Sequence, residues 1–272
     1  MLNEQTIAIL NSLKLFGMAR GLSERLTDPG HGGLSHADFI GLLVQDEKTY
    51  RDNKRLARLL RNARLRQPAS LEDIDYAHAR GLSKQVMLEL TNTQWITAHR
   101  NALVTGPTGI GKSFIACALG NAAARAGYTV LYTRAPRLFE TLQQARGDGS
   151  YLKTLDKLSR VQLLIVDDFL LTPLSEWERR DLLEVAEGRY DAGSTVFASQ
   201  CPISDWHPAI ADPTLADPTL ADAICDRLLH NAYRIELRGD SMRRKQGESK
   251  RAADLSTEKG GGQTLKTRAR MS

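Results

Sequence analysis

Apolar and polar positions follow two rhythms along this chain, and the change comes at Asn101. Before it, apolar residues recur at three- and four-residue intervals. In NEQTIAILNSLKLFGMARGL the apolar set is Ile7, Leu10, Leu13, Phe16 and Met18, which predicts an amphipathic helix. The loop-forming run DPGHGG follows at 28–33, and Ser35 is placed to cap a second helix through Leu42 and Leu43. A third helix is expected over the basic stretch after it. RQPASLEDIDY at 66–76 reads as a linker broken by Pro68, and Lys84 to Thr97 as a helix leading into the next domain.

From Asn101 onward, short apolar runs alternate with helical patterns. The runs NALVT (101–105), YTVLYT (128–133), VQLLIVDDF (161–169), STVFASQ (194–200) and YRIELRG (233–239) predict five strands. Helices are expected between them: from Lys112 through Ala124, over 135–158 with a break at Gly147–Gly149, over SEWERRDLLEVAEGRYD, and over ADAICDRLLHN. Strands alternating with helices give an α/β fold, a parallel five-stranded sheet covered on both faces. The expected organisation is an all-helical N-terminal domain at 1–67, an α/β domain at 68–246 and a basic tail at 247–272. GGG at 260–262 and few large apolar residues after Leu255 predict no fixed structure for the tail.

Composition narrows the classes. With 272 residues and 42% hydrophobic content the chain can bury a sizeable core, and no apolar run is long enough to span a bilayer. The start lacks the pattern of a signal peptide. Cys117, Cys201 and Cys225 are widely spaced and odd in number, which fits the reduced thiols of a cytoplasmic protein better than a disulfide frame or a zinc site. Net charge is +5, and its distribution matters more. Arg51, Lys54, Arg55, Arg58 and Arg61 share one helical face, with Leu56, Leu59, Leu60 and Ala63 on the other. Such a stripe suits the phosphates of nucleic acid; the alternative is a solvated helix face. A second basic stretch runs from Arg243 to Arg270.

The chemistry concentrates at the ends of the predicted strands. Gly106, Pro107, Thr108, Gly109, Ile110, Gly111, Lys112 and Ser113 match G-x-x-x-x-G-K-[ST] in full, between an apolar strand and a helix whose first turn includes Phe114. Glycines let backbone N–H groups turn toward phosphates, and the helix adds its positive dipole end. Lys112 would reach the β- and γ-phosphates of ATP, and Ser113 would ligate Mg²⁺. LLIVDD places Asp167 at a strand end as a second metal candidate, with Asp168 able to polarise an attacking water; a turn-capping role for Asp168 is the alternative. Ser199 and Gln200 end the next strand and could orient water or the γ-phosphate. Arg227 could project into a neighbouring subunit's nucleotide or form an ion pair within its own chain. In ADPTLADPTLAD, residues 211–215 recur as 216–220; the sequence suits a helix start, so one copy would begin the helix and the other lengthen the loop.

These elements in this order resemble the AAA+ ATPases. Residues 66–246 are similar to the DnaA/DnaC branch, and most of all to the IstB helper ATPases of bacterial insertion sequences. The segments that carry the likeness are GPTGIGKS, LLIVDDF, SQCPISDWH and ADPTLADAICDRLLHNAYRIELRGDSMRRK, together with the helical N-terminus. The resemblance implies an oligomeric ATPase that binds ATP and Mg²⁺, assembles on duplex DNA with little sequence preference and brings a partner transposase to its target. It implies nucleotide and metal roles for Lys112, Ser113, Asp167 and Asp168, a sensor role for Ser199 or Gln200, and a finger role for Arg227. A second sensor would fall at Arg243 or Arg244. A DNA-facing helical insertion would lie at 135–158, offering Arg137, Arg146, Lys153 and Lys157, with Arg134 at its entrance. Two departures stand out: the duplicated segment ahead of Arg227, and Leu170 where the family commonly has glycine. A helicase loader and a DNA clamp with little hydrolysis are the competing expectations.

Overall fold

The computed structural model describes residues 2–27, 34–76, 80–211, 219–239 and 242. The repeat at 212–218, Arg243 and Arg244, and the tail fall outside the described residues. The chain divides into two compact units, Met1–Asn62 and Ala63–Ser272.

The described residues of the first unit form three helices, α1 (Leu2–Ser12), α2 (Phe16–Thr27) and α3 (His36–Ala63). The single helix expected over the N-terminus is two. Lys14 turns to φ 60, and Leu15 N–H closes back on Leu10 O at 2.9 Å. The cause is tertiary. Gly17 lies so close to α3 that a Cβ there would stand 2.5 Å from Asp46 O, and the Glu47 carboxylate accepts the Gly17 N–H at 2.7 Å and the Met18 N–H at 3.2 Å. A buried acid on one helix thereby caps the start of another. In the opposite direction, the two helices expected between 35 and 65 are one helix of 28 residues. No proline or packed glycine interrupts it, since Gly41 meets nothing within 4 Å. Ser35 does cap it, accepting the Asp38 N–H at 3.1 Å.

In the second unit a 3-10 turn at Leu71–Asp73 precedes α4 (Lys84–Thr91) and α5 (Gln94–Thr97), so the helix expected over 84–97 is broken. Asn92 ends α4 in an extended conformation, and Trp95 at the start of α5 turns its indole N–H back to Leu90 O at 2.9 Å. Then β1 (Asn101–Thr105), α6 (Lys112–Arg125), β2 (Val130–Arg134), α7 (Ala135–Gly147), α8 (Tyr151–Ser159), β3 (Leu163–Phe169), α9 (Glu176–Arg189), β4 (Ser194–Ser199), α10 (Trp206–Ile210), α11 (Thr219–Leu229) and β5 (Ala232–Glu236) follow. β2 starts two residues later than its apolar pattern, because Tyr128 N–H still closes the end of α6 on Ala123 O. α11 begins within the second copy of the repeat.

The five strands are parallel in the order β2-β3-β4-β1-β5. Apolar side chains alternate across the sheet, and Leu103, Leu164, Val166 and Phe197 form one core with residues of α7 to α11. α6 lies close against β3, where a Cβ on Gly120 would meet Ile165 at 2.6 Å and Leu65 at 2.9 Å. Phe169 and Phe197 pack tilted against each other and edge to face with Trp206, centroids 4.8–6.0 Å apart, fixing the ends of β3 and β4 where the acids and polar residues emerge. At the other end, Arg189 is buried without an acid and donates to the carbonyls of Leu158, Val161 and Ser194 and to Thr195 Oγ1; burial lowers its pKa to about 10. No described helix is long and apolar enough to cross a membrane.

Candidate functional site

The phosphate-loop candidate leaves β1 at its carboxyl end. β1 is central, paired with β4 and β5, so its last residue is held from both sides: Gly106 N–H reaches Ser199 O at 3.2 Å, and Leu237 N–H reaches Thr105 O at 2.8 Å. Gly106 has φ 146, and a Cβ there would fall 2.4 Å from Leu237 O. Gly111 caps α6 with φ 104, and a Cβ there would fall 2.9 Å from Arg80 Nη1. Only glycine fits both positions. The turn leaves the first N–H groups of α6, at Lys112, Ser113 and Phe114, without intrahelical acceptors, which is an anion-binding arrangement. Lys112 curls over the loop and donates to Gly106 O at 2.7 Å and Pro107 O at 2.9 Å. Beside it opens a cleft of 610 Å³, lined by Gly109, Gly111, Lys112, Ser113 and Phe114 on one side and by Gln67, Asp73 and Arg80 on the other. That volume suits a nucleotide.

Arg80 was not singled out in the sequence. It is 3% exposed, donating to Ile110 O at 3.2 Å and Asp75 O at 3.1 Å, so it supports the loop from beneath. Burial lowers its pKa. Its backbone carbonyl accepts Arg238 N–H, tying the same segment to the chain after β5.

β3 delivers the acids two strands away. Asp167 is 1% exposed: Oδ1 accepts the Asp168 N–H at 2.9 Å, and Oδ2 accepts the Tyr132 hydroxyl at 2.6 Å and Arg66 Nη1 at 3.4 Å. Tyr132 stands opposite Ile165 in the β2–β3 register, so its side chain shares a face with Asp167 two residues on. Burial, then the bond to Asp167, raises the Tyr132 pKa and keeps it a donor. Asp168 turns to φ 55 and accepts Arg134 Nε at 2.6 Å, with Arg66 at 3.9 Å. Leu170, in the position where the resembled family has glycine, sits at φ 51 with its side chain buried. Ser113 and Asp167 supply the hard oxygen donors that Mg²⁺ prefers.

The two sensor candidates separate. Ser199 is fully buried, donating to Phe169 O at 2.6 Å and accepting the Cys201 N–H at 3.1 Å, so its hydroxyl joins the ends of β3 and β4. Gln200 reaches the phosphate loop, where Oε1 accepts the Thr108 hydroxyl at 2.7 Å. Arg227 stands at the opposite end of the sheet. Its carbonyl accepts from Asn101 at the start of β1, and its guanidinium bonds Glu187 at 2.5 Å and Ala223 O at 2.9 Å.

Of the DNA candidates, Arg51, Lys54, Arg55, Arg58 and Arg61 line one shallow groove on α3. Two also serve their own unit: Arg51 pairs with Glu47 at 2.6 Å, and Lys54 lies 5.6 Å and 5.8 Å from the ring centres of Phe16 and Tyr50. Arg137, Lys153 and Lys157 are exposed on α7 and α8. Arg146 instead bonds Asp181 and Tyr151, and Arg134 belongs to Asp168. Arg66, Tyr132 and Arg80 are site residues that sequence reasoning missed. A tyrosine inside an apolar strand was the available signal, since a buried hydroxyl requires a partner.

A glycine loop ending a central parallel strand, followed by a cleft and by paired acids on a neighbouring strand, has clear relatives. A family model described as IstB-like ATP binding protein matches residues 8–251. The chain belongs to that family. An insertion sequence ATP-binding protein of Sinorhizobium fredii is 48% identical over 246 residues, covering 90% of this chain and 98% of its own. The ATP-binding protein of insertion sequence IS1162 from Pseudomonas fluorescens is 45% identical over 205 residues, covering 75% and 89%. Among solved structures, that of DnaI superposes with a TM-score of 0.54 at 22% identity over 67% of this chain and 94% of its own, a likeness of fold. The core of this IstB-like protein is a parallel five-stranded sheet with flanking helices and a glycine loop after β1, in agreement with the α/β fold expected from the sequence.

Proposed function

We propose that this protein is an ATP-hydrolysing helper of DNA transposition that assembles on duplex DNA with little sequence preference and assists its transposase in selecting a target. The observation that carries the reading is the separation of the ATPase parts. The glycine loop, Gln200 and the paired acids gather at the carboxyl ends of the strands, whereas Arg227 sits at the amino end of β1 and cannot serve the same nucleotide. An arginine so placed can complete only a neighbour's site, which makes hydrolysis a property of an oligomer. The names of the relatives, insertion sequence ATP-binding proteins, support the transposition context.

In this reading the α6 amino end and Lys112 hold the phosphates, Gln200 senses the γ-phosphate through its place beside Thr108, and Asp168 orients the attacking water. Ser113 and Asp167 would hold Mg²⁺, which when bound supplies charge neutralisation across the phosphates. The α3 groove takes DNA phosphates, with Arg137, Lys153 and Lys157 adding contacts from the core unit. Ile9, Leu13, Ile40 and Val44 are exposed on the helical unit, which makes it our choice for transposase docking.

A clamp with little hydrolysis is the second reading. It is favoured by the bonds that hold Asp168 to Arg134 and Arg227 to Glu187. Steady-state ATP hydrolysis separates the two, measured without DNA, with single strands and with duplex, for wild type and Arg227→Ala. Duplex stimulation lost in the variant supports the helper ATPase. ATP binding without hydrolysis in any condition selects the clamp, and preference for single strands would replace both with a helicase loader.

A further inference from the structure

Asp167 and Asp168 are adjacent acids at a strand end, and Asp167 is almost wholly buried. Two like charges so placed need a cation. Arg134 reaches Asp168 alone, at 2.6 Å. Arg66 is the described arginine that reaches both, with Nη1 3.4 Å from Asp167 Oδ2 and 3.9 Å from Asp168 Oδ2. The Tyr132 hydroxyl donates to the same Asp167 oxygen. The guanidinium therefore lies against Asp167, the acid that would help to hold the metal.

We propose that Arg66 is a tethered counterion of the metal site, holding the two acids in place and leaving them when Mg²⁺ arrives with the nucleotide. The inference rests on the reading of Asp167 as a metal ligand and goes beyond it by naming the residue that the metal must displace. Charge favours the exchange. A guanidinium and a divalent ion cannot both stay within 4 Å of the same carboxylate oxygens without strong mutual repulsion. Burial and bond length decide which donor leaves. Tyr132 is 8% exposed and bonds Asp167 at 2.6 Å, so it stays and keeps the carboxylate aimed. The Arg66 side chain is 42% exposed and its bonds are long, so it can swing into solvent. It is anchored at its base: Leu65, one residue before it, packs on α6 at Gly120. A side chain that moves on a fixed backbone returns when the metal departs.

The test is binding of a fluorescent ATP analogue to the full chain, with Mg²⁺ titrated and with EDTA, for wild type, Arg66→Gln and Arg66→Lys. Removing one unit charge close to the metal should lower the half-saturating Mg²⁺ of Arg66→Gln about fivefold, while affinity in EDTA stays within about twofold of wild type. Arg66→Lys keeps the charge but loses the planar guanidinium that reaches both acids, so it should fall in between. Mg²⁺ without nucleotide should raise the melting temperature of Arg66→Gln more than that of wild type. An unchanged or higher Mg²⁺ requirement in Arg66→Gln overturns the proposal. So does an equal loss of ATP affinity with and without Mg²⁺, which would make Arg66 a phosphate contact. If Arg66→Gln does not fold, a wild-type Mg²⁺ requirement in Arg66→Lys overturns it. Wild type that binds no ATP sinks the nucleotide reading as well.

Discussion

Gly106 shows how much of the site hangs on single positions. Its φ of 146 is open to few residues with a side chain, and the Leu237 carbonyl occupies the space a Cβ would need. Gly106→Ala should therefore lose about 2 kcal/mol or more of stability. A thermal melt with ATP titration checks this, and the variant should also bind ATP more weakly because the loop must shift. Leu170 is the opposite case. Its left-handed backbone costs on the order of 1–2 kcal/mol, but burying its side chain offsets that by about 2 kcal/mol. Tertiary packing thus allows leucine where the resembled family has glycine. The glycine motif was readable because its spacing is a backbone requirement. Tyr132 and Arg66 were not, because their roles depend on which strand lies beside β3 and where the linker docks.

At the scale of elements, α2 and α3 depend on one buried acid. Burial pushes the Glu47 carboxyl up, but the bond from Arg51 and the N–H groups of Met18 and Gly17 outweigh it and leave the pKa below 4.5. A depressed carboxylate pKa contributes stability that is present above the unfolded value and lost as pH falls through the folded one. Glu47→Gln should destabilise the protein by about 1–2 kcal/mol near neutrality. The gap to wild type should narrow below pH 4.5, and a gap that stays constant to low pH would remove Glu47 as the cap. α3 makes a second prediction. Arg58 and Arg61 line the basic groove and pair with no acid among the described residues, unlike Arg51, which bonds Glu47. Replacing both with Ala should weaken duplex binding and flatten its logarithmic salt slope by roughly 2. An unchanged slope returns the stripe to a solvated face. The basic periodicity was legible in sequence; that α3 is one helix and the N-terminus two was not, because Glu47 and Gly17 meet only in the fold.

The whole molecule adds a constraint that no element carries. Parallel strands place the phosphate loop and acids at one end of the sheet, and the α11–β5 connection places Arg227 at the other. If Arg227 completes a neighbour's site, the specific ATPase rate should rise with protein concentration, and Arg227→Ala should abolish that rise while leaving ATP binding intact. A rate per chain that is independent of concentration, measured across the range where association is detected, would leave Arg227 with Glu187 alone.

The sequence by itself determined the α/β class, the five strands and the glycine loop. Those follow from periodicity and from backbone demands that act over a few residues. Only the tertiary structure decided that Gln200 rather than Ser199 meets the loop, that Arg134 and Arg66 attend the acids, and that Arg227 faces away from its own cleft. Those are meetings of residues far apart in the chain, and they are set by strand order and by burial, which forces each enclosed charge or hydroxyl to find a partner.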